Sequence, residues 1–266
     1  MQLYRGSYLI NELRGTLYQE SVKRAHGVNI SRSLCLYTPK EVYFGIKNNK
    51  KIKNWLRFIK YNYDPSKTLG ISYIKILFLY PCSAVKPYLN SRQYTILMNT
   101  LSSVSKDWQS SVHLITVSEP FALIPYELYE KFTKRNLWYD CPGLFKWWCS
   151  KHKLPYEKEY AIKALDILSA VIAKFLERTK HFYEERIAFV RIPYNGAPDY
   201  LYTHYYLVKR ASKISNVHVK IYPEKRFINK FIKRHSQRSW QFWGIAHRDS
   251  QEYLKGILLK VLGDGT

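Results

Sequence analysis

From about residue 70 onward, short runs rich in β-branched and aromatic residues alternate with segments whose apolar positions recur every three or four residues. That alternation restricts the chain to an α/β fold, a mostly parallel sheet flanked by helices in three layers, because each crossover between parallel strands consumes a helix's length of chain. Strands are predicted over 73–80, 112–117, 186–192 and 217–222, and helices over 91–104, 159–179, 200–211 and 251–262. In the second of these helices Ile162, Leu165, Leu168, Ile172, Phe175 and Leu176 form a stripe expected to face the core. Upstream, Leu34-Cys35-Leu36-Tyr37 and Val42-Tyr43-Phe44 flank Thr38-Pro39-Lys40-Glu41, which reads as a hairpin. A basic helix is predicted over 50–63, with Ile52, Trp55, Leu56 and Ile59 on one face. No repeat or Gly/Ser-rich linker interrupts the chain, so one unit is expected: a basic N-terminal extension, 1–69, packing on a core, 70–266, that ends in a basic-aromatic segment.

Charge decides which partners are plausible. With 43 Lys+Arg against 20 Asp+Glu, the formal charge of +23 favours a polyanion such as RNA, although a general solubility device has the same composition. The four cysteines, at 35, 82, 141 and 149, form neither a CxxC pair nor a zinc-like cluster, so no metal, cofactor or disulfide is expected. Residues 1–5 lack the apolar core of a signal peptide, and no run approaches the roughly 18–20 apolar residues of a membrane span. A soluble, cytoplasmic protein without a membrane partner is the expectation.

The candidate chemistry sits just past the predicted strands, where ligands bind in open α/β sheets. Cys82, in Pro81-Cys82-Ser83-Ala84-Val85-Lys86-Pro87-Tyr88, follows the first of them. It reads as a nucleophile activated by Lys86 and the helix beginning at Ser91, or as a small buried hydrophobe. Ser83 and the loop amides suit an anion cradle, and Lys86, restrained by Pro87, suits phosphate binding, thiolate stabilisation or proton transfer. In Trp138-Tyr139-Asp140-Cys141-Pro142-Gly143 the Pro-Gly turn presents Asp140 to a base or an amine, or caps itself with it. After Val117-Ser118-Glu119-Pro120, Glu127 falls near a helix start that begins at Pro125. Between 225 and 248, Lys225, Arg226, Lys230, Lys233, Arg234 and Arg238 interleave with Phe227, Phe231, Trp240, Phe242 and Trp243. That is the pattern of an RNA grip by phosphate contact and base stacking, and equally of a basic helix with its aromatics in the core.

The segment 81–88 resembles the PCSAKKPYS motif of the archaeosine synthase core domain, an archaeal family related to tRNA-guanine transglycosylases. Asn54-Trp55-Leu56-Arg57-Phe58, Tyr63-Asp64-Pro65, Ala122-Leu123-Ile124-Pro125-Tyr126-Glu127-Leu128 and Tyr139-Asp140-Cys141-Pro142-Gly143 extend the likeness over roughly residues 50–220. Val85, Leu89 and Tyr94 stand where that family carries lysine, serine and histidine. The resemblance implies a tRNA-modifying enzyme that adds an amine, in the family lysine, to the nitrile of 7-cyano-7-deazaguanine in tRNA. Cys82 would attack the nitrile carbon, Lys86 or Ser83 would stabilise the imide nitrogen, and Asp140 would orient the base or amine. Tyr88, Ser91 and Glu127 would contact substrate. Lys225, Arg226, Lys233 and Arg234 would contact the tRNA, or a separate RNA-binding or downstream modification subunit would do so. A non-catalytic RNA-binding relative and a glycosylase-like base-acting enzyme are the alternatives.

Overall fold

The computed structural model of the chain describes residues 2–194 and 202–263. Five strands, β1 (Ile74–Pro81), β2 (Val112–Ser118), β3 (Ala122–Pro125), β4 (Tyr183–Phe189) and β5 (Lys220–Tyr222), form one sheet in the order β3-β2-β1-β4-β5. β1 pairs in parallel with β2 and β4, and β4 with β5; only β3 runs antiparallel, along β2. The α/β expectation therefore holds, with one edge strand added. β1 is buried along its length apart from Lys75, as a central strand covered on both faces must be. Each of Leu77, Phe78 and Leu79 contributes roughly 1.5–3 kcal/mol through that burial. Chain order places β2 on one side of β1 and β4 on the other, so β1 lies at the point where the sheet's direction of growth reverses.

The helices are α1 (Gln2–Lys23), α2 (Pro39–Asn48), α3 (Lys50–Arg57), α4 (Pro65–Leu69), α5 (Arg92–Val104), α6 (Tyr129–Lys134), α7 (Lys146–Lys151), α8 (Lys158–Arg178), α9 (Thr203–Ser215), α10 (Lys225–His235), α11 (Gln237–Phe242) and α12 (Arg248–Gly263). α8 packs on α9 and α2, while α5 packs on α12. Among the described residues no helix is long and apolar enough to cross a membrane.

Three local expectations change. The hairpin at 34–44 is instead a helix start: the Thr38 hydroxyl accepts from Glu41 N at 3.3 Å, Pro39 occupies the first turn, and Glu41 Oε2 accepts from Tyr37 N at 2.7 Å. The threonine caps the helix three residues before a glutamate, and that glutamate reaches back one residue beyond the cap, to Tyr37. β3 was hidden in 122–125, four residues without alternation and closed by a proline, a residue confined in sheets to edges. In α8, Leu168, Ile172, Phe175 and Leu176 are buried but Ile162 is 40% exposed. At 3.6 residues per turn Ile162 falls about 90° from the centre of that stripe. The predicted helix over 200–211 is α9, and Tyr200 lies outside the described residues.

Candidate active site

The carboxyl ends of β1, β2 and β4 converge on a cleft of about 230 Å³. Cys82 follows β1, and its backbone N–H donates to Val117 O at 3.0 Å, extending the ladder by one residue. Glu119 follows β2 and Arg191 follows β4; His204, in the first turn of α9, completes the wall. Cys82 Sγ lies 3.4 Å from His204 Nε2, and the same Nε2 lies 3.3 Å from Glu119 Oε2. Burial opposes a charge on His204, but the adjacent Glu119 carboxylate and Cys82 reverse the balance and raise its pKa to about 10. Burial likewise opposes ionisation of Glu119, and the imidazolium overrides it, holding the carboxyl below its usual range. At neutral pH the pair is an imidazolium and a carboxylate, with the Nε2 proton shared between oxygen and sulfur. Cys141 lines the same cleft, but burial pushes its thiol well above the usual value, so it stays protonated.

Lys86 is 2% exposed, and burial lowers its pKa. Its Nζ donates to Ser83 O and lies 5.1 Å and 4.9 Å from the ring centres of Tyr88 and Tyr139. The two phenols hydrogen-bond at 2.5 Å, and Tyr139 also meets Ser118 Oγ, so the cage is fixed from β2. Residues before the sheet hold Lys86 and Asp140 in place from behind. Lys86 N donates to Arg24 O at 2.9 Å, and His26 N donates to Lys86 O at 2.7 Å. Asp140 Oδ2 accepts from Ser21 Oγ at 2.7 Å and from the Arg24 guanidinium at 2.6 Å. Its main chain pairs with Leu34 and Leu36, and Gly143 continues that pairing where a Cβ would meet Thr38 backbone atoms at 2.7 Å. This close approach is why the turn carries glycine.

The structure brings Cys82, Ser83, Lys86 and Asp140 onto one cleft. Tyr88 is buried beneath it as part of the lysine cage, and Ser91 is the N-cap of α5, accepting from Tyr94 N at 3.2 Å. Tyr94 is buried, its hydroxyl bonded to Thr116 at 2.5 Å and to Pro81 O at 3.2 Å, under the motif strand. Glu127 lies outside the cleft, bonded to Tyr63 and to His113 at 3.2 Å. Lys225, Arg226, Lys233 and Arg234 are exposed on α10, whose Phe231 points into the core, as does Trp240 on α11. Glu119, Arg191 and His204 complete the site without having been singled out. Glu119 stood in a quoted segment just past a strand, whereas Arg191 and His204 join the site only through strand order.

Arg191 carries the remaining charge of the cleft. Its Nε is buried without a hydrogen-bond partner, burial depresses its pKa, and no carboxylate lies within ion-pair distance among the described residues. Gly244, at φ +43°, leaves its guanidinium room, since a Cβ there would lie 2.9 Å from Nε. Two side-chain trios have donor atoms within 4.8 Å of one another and the chemistry to hold a transition metal: Cys82, Glu119 and His204, and His235, His247 and Asp249.

A thiol and a carboxylate at the carboxyl ends of adjacent parallel strands, with an imidazolium from the start of α9, mark this as an α/β protein with its candidate site where open sheets bind ligands. The chain belongs to the family described as Domain of unknown function (DUF5591), whose model matches residues 52–195, more than half of its length. It is 28% identical over 126 residues to archaeosine synthase subunit alpha of Thermococcus kodakarensis, an alignment covering 45% of this chain and 21% of that protein. The chain thus matches about a fifth of that relative's length. The crystal structure of AF0587, a protein of unknown function, is similar at a TM-score of 0.41 and 17% identity, covering 76% of this chain and 48% of that one.

Proposed function

We propose that this chain modifies a base of tRNA, adding an amine to the nitrile of 7-cyano-7-deazaguanine. The observation that carries the reading is the contact of Cys82 Sγ with His204 Nε2 at 3.4 Å inside a cleft too small for a whole nucleotide but adequate for one ring system. The kinship with an archaeosine synthase subunit supports it. In the first step Sγ bonds to the nitrile carbon and one π bond opens; the proton on His204 Nε2 moves to the nitrile nitrogen, and the proton of the breaking S–H bond replaces it on Nε2, giving a thioimidate. In the second step the amine nitrogen attacks that carbon and the C–S bond breaks. The electron pair of that bond stays on sulfur, which regains its proton from the amine nitrogen by way of His204, and an amidine remains with no net oxidation. Lys86, whose burial favours the neutral amine, takes the proton that an incoming ammonium must lose before it can attack. Asp140, fixed by Arg24, orients the base or the amine. A cytoplasmic setting and a tRNA partner, alone or with a separate RNA-binding or downstream modification subunit, belong to the same proposal.

Incubation with nitrile-bearing tRNA and lysine is expected to raise the mass of the base by one lysine. Cys82→Ala is expected to abolish the gain; a Cys82→Ala variant that retains it excludes the covalent route. Salt-sensitive tRNA binding with no mass change would identify a non-catalytic relative instead, and release of a free base would identify a glycosylase-like enzyme.

The convergence of Cys82, Glu119 and His204 donors on one point favours a second reading, in which the trio ligates zinc and polarises a substrate nitrogen or water. Stoichiometric zinc in the purified protein, lost in Cys82→Ala, would select it. Activity unchanged after chelation selects the thioimidate route.

A further inference from the structure

A second depression adjoins the cleft and is not part of it. It is a groove of about 750 Å³ between α5 and α12, lined by Arg92, Trp243, Arg248 and Lys255 among others. The two share a rim: Gln93 lines the cleft where its neighbour Arg92 lines the groove, and Ile245 lines the cleft where Ala246 and His247 line the groove. Trp243 is 46% exposed, and the Arg92 guanidinium lies 4.8 Å from its ring centre. Arg92, Arg248 and Lys255 make no ion pair among the described residues, and Glu252 is the one carboxylate on the lining.

These features separate Trp243 from the rest of the basic-aromatic segment. Phe231 and Trp240 are buried, and Phe227 stacks on Tyr253 at 4.3 Å, so those rings serve the core. Trp243 instead leaves nearly half of its surface to solvent. An indole under a guanidinium offers a sandwich in which an unstacked base can displace or join the cation, because every base has a π face. Phosphates flanking such a base meet three cations within the same groove.

We propose that this groove seats the nucleotide next to the base held in the cleft, its ring on Trp243 and its phosphates against Arg92, Arg248 and Lys255. The occupant is unpaired or looped RNA, and the inference rests on the reading that the cleft receives a tRNA base. A base in the cleft has left its stack, so its neighbour is exposed at the moment Trp243 can take it.

Equilibrium binding of full-length protein to a tRNA transcript and to a blunt RNA duplex, by fluorescence anisotropy over a salt series, tests this. Trp243→Ala is expected to weaken tRNA binding about tenfold or more while leaving duplex binding and the salt slope unchanged. Trp243→Phe is expected to restore most of the loss. Arg92→Gln with Arg248→Gln is expected to flatten the slope of log K against log salt by about 1.4 for single-stranded contacts. Wild-type affinity in Trp243→Ala overturns the proposal, and so does an equal loss for tRNA and duplex. Tighter binding of a polyglutamate peptide than of tRNA at this groove overturns it in favour of an acidic protein partner. The nitrile assay can fail while the Trp243 effect stands, and the Trp243 effect can fail while the base still gains mass.

Discussion

Two carboxylate–histidine pairs share strand β2 and meet opposite fates. Near its start His113 Nε2 lies 3.2 Å from Glu127, and its Nδ1 lies 2.6 Å from the Tyr183 hydroxyl; Tyr63 bonds to both members of the pair. Every polar corner of that ring meets a phenol or a carboxylate, and the ring stacks on Tyr183 at 5.8 Å. Beyond the other end of β2, Glu119 meets His204 with a sulfur as third partner and a cleft alongside, and Glu119 Oε1 is buried without a hydrogen bond among the described residues. Both carboxyls are held below their usual range by the histidine overriding burial. The difference therefore lies not in the pair but in what completes it, a closed set of hydroxyls at the amino end of the sheet and a thiol facing space at the carboxyl end.

Exchanging the histidines probes that contrast most strongly. His204→Gln is expected to reduce base modification by roughly 10²–10⁴-fold, the usual worth of a positioned proton carrier, as read by nucleoside mass spectrometry. His113→Gln is expected to change the rate by less than about threefold while lowering unfolding free energy by roughly 2–4 kcal/mol in urea titration, since it leaves Glu127 buried among phenols. A rate loss in His113→Gln matching that of His204→Gln would erase the distinction between the two ends.

A smaller effect concerns pH. The folded pKa of His204, about 10, stands above its ordinary 6.5. The stabilisation it supplies is fully present below about pH 6.5 and is lost as pH rises through about 10. Wild-type stability is expected to fall across that interval more steeply than that of His204→Gln, in parallel urea titrations. Equal slopes would place the imidazolium elsewhere. The smallest expected change is Tyr63→Phe, which removes one hydroxyl from the closed network and costs about 1–2 kcal/mol with the rate unaffected.

Legibility in the sequence followed the range of the interaction. β1, β2, α5 and α8 were readable because burial imposes a period on neighbouring residues, and Cys82, Ser83, Lys86 and Asp140 because each sits in a short segment with turn residues on either side. β4 lay about three residues earlier than its apolar run suggested, since Tyr183 and Ile187 are buried around the half-exposed Glu185 and Arg186. Arg191 and His204 carry no local signal. They reach Cys82 only because β4 lies beside β1, and strand order is written in no single stretch of chain. The capping threonine at 38 was legible in principle, but the short apolar runs on either side of 38–41 pointed to strands. The basic helix α10 kept its charges on the surface as composition required, while its aromatic partners went to the core.

The segment that defines family membership, 52–195, contains the sulfur and the glutamate but neither the imidazole at 204 nor the arginine at 24 that anchors Asp140. The candidate site thus draws on the matched segment and on contributions from both of its flanks. A match to that segment alone therefore leaves the side chains at 24 and 204 unspecified, and a substitution at either would change the surroundings of Asp140 or Cys82 without altering the match.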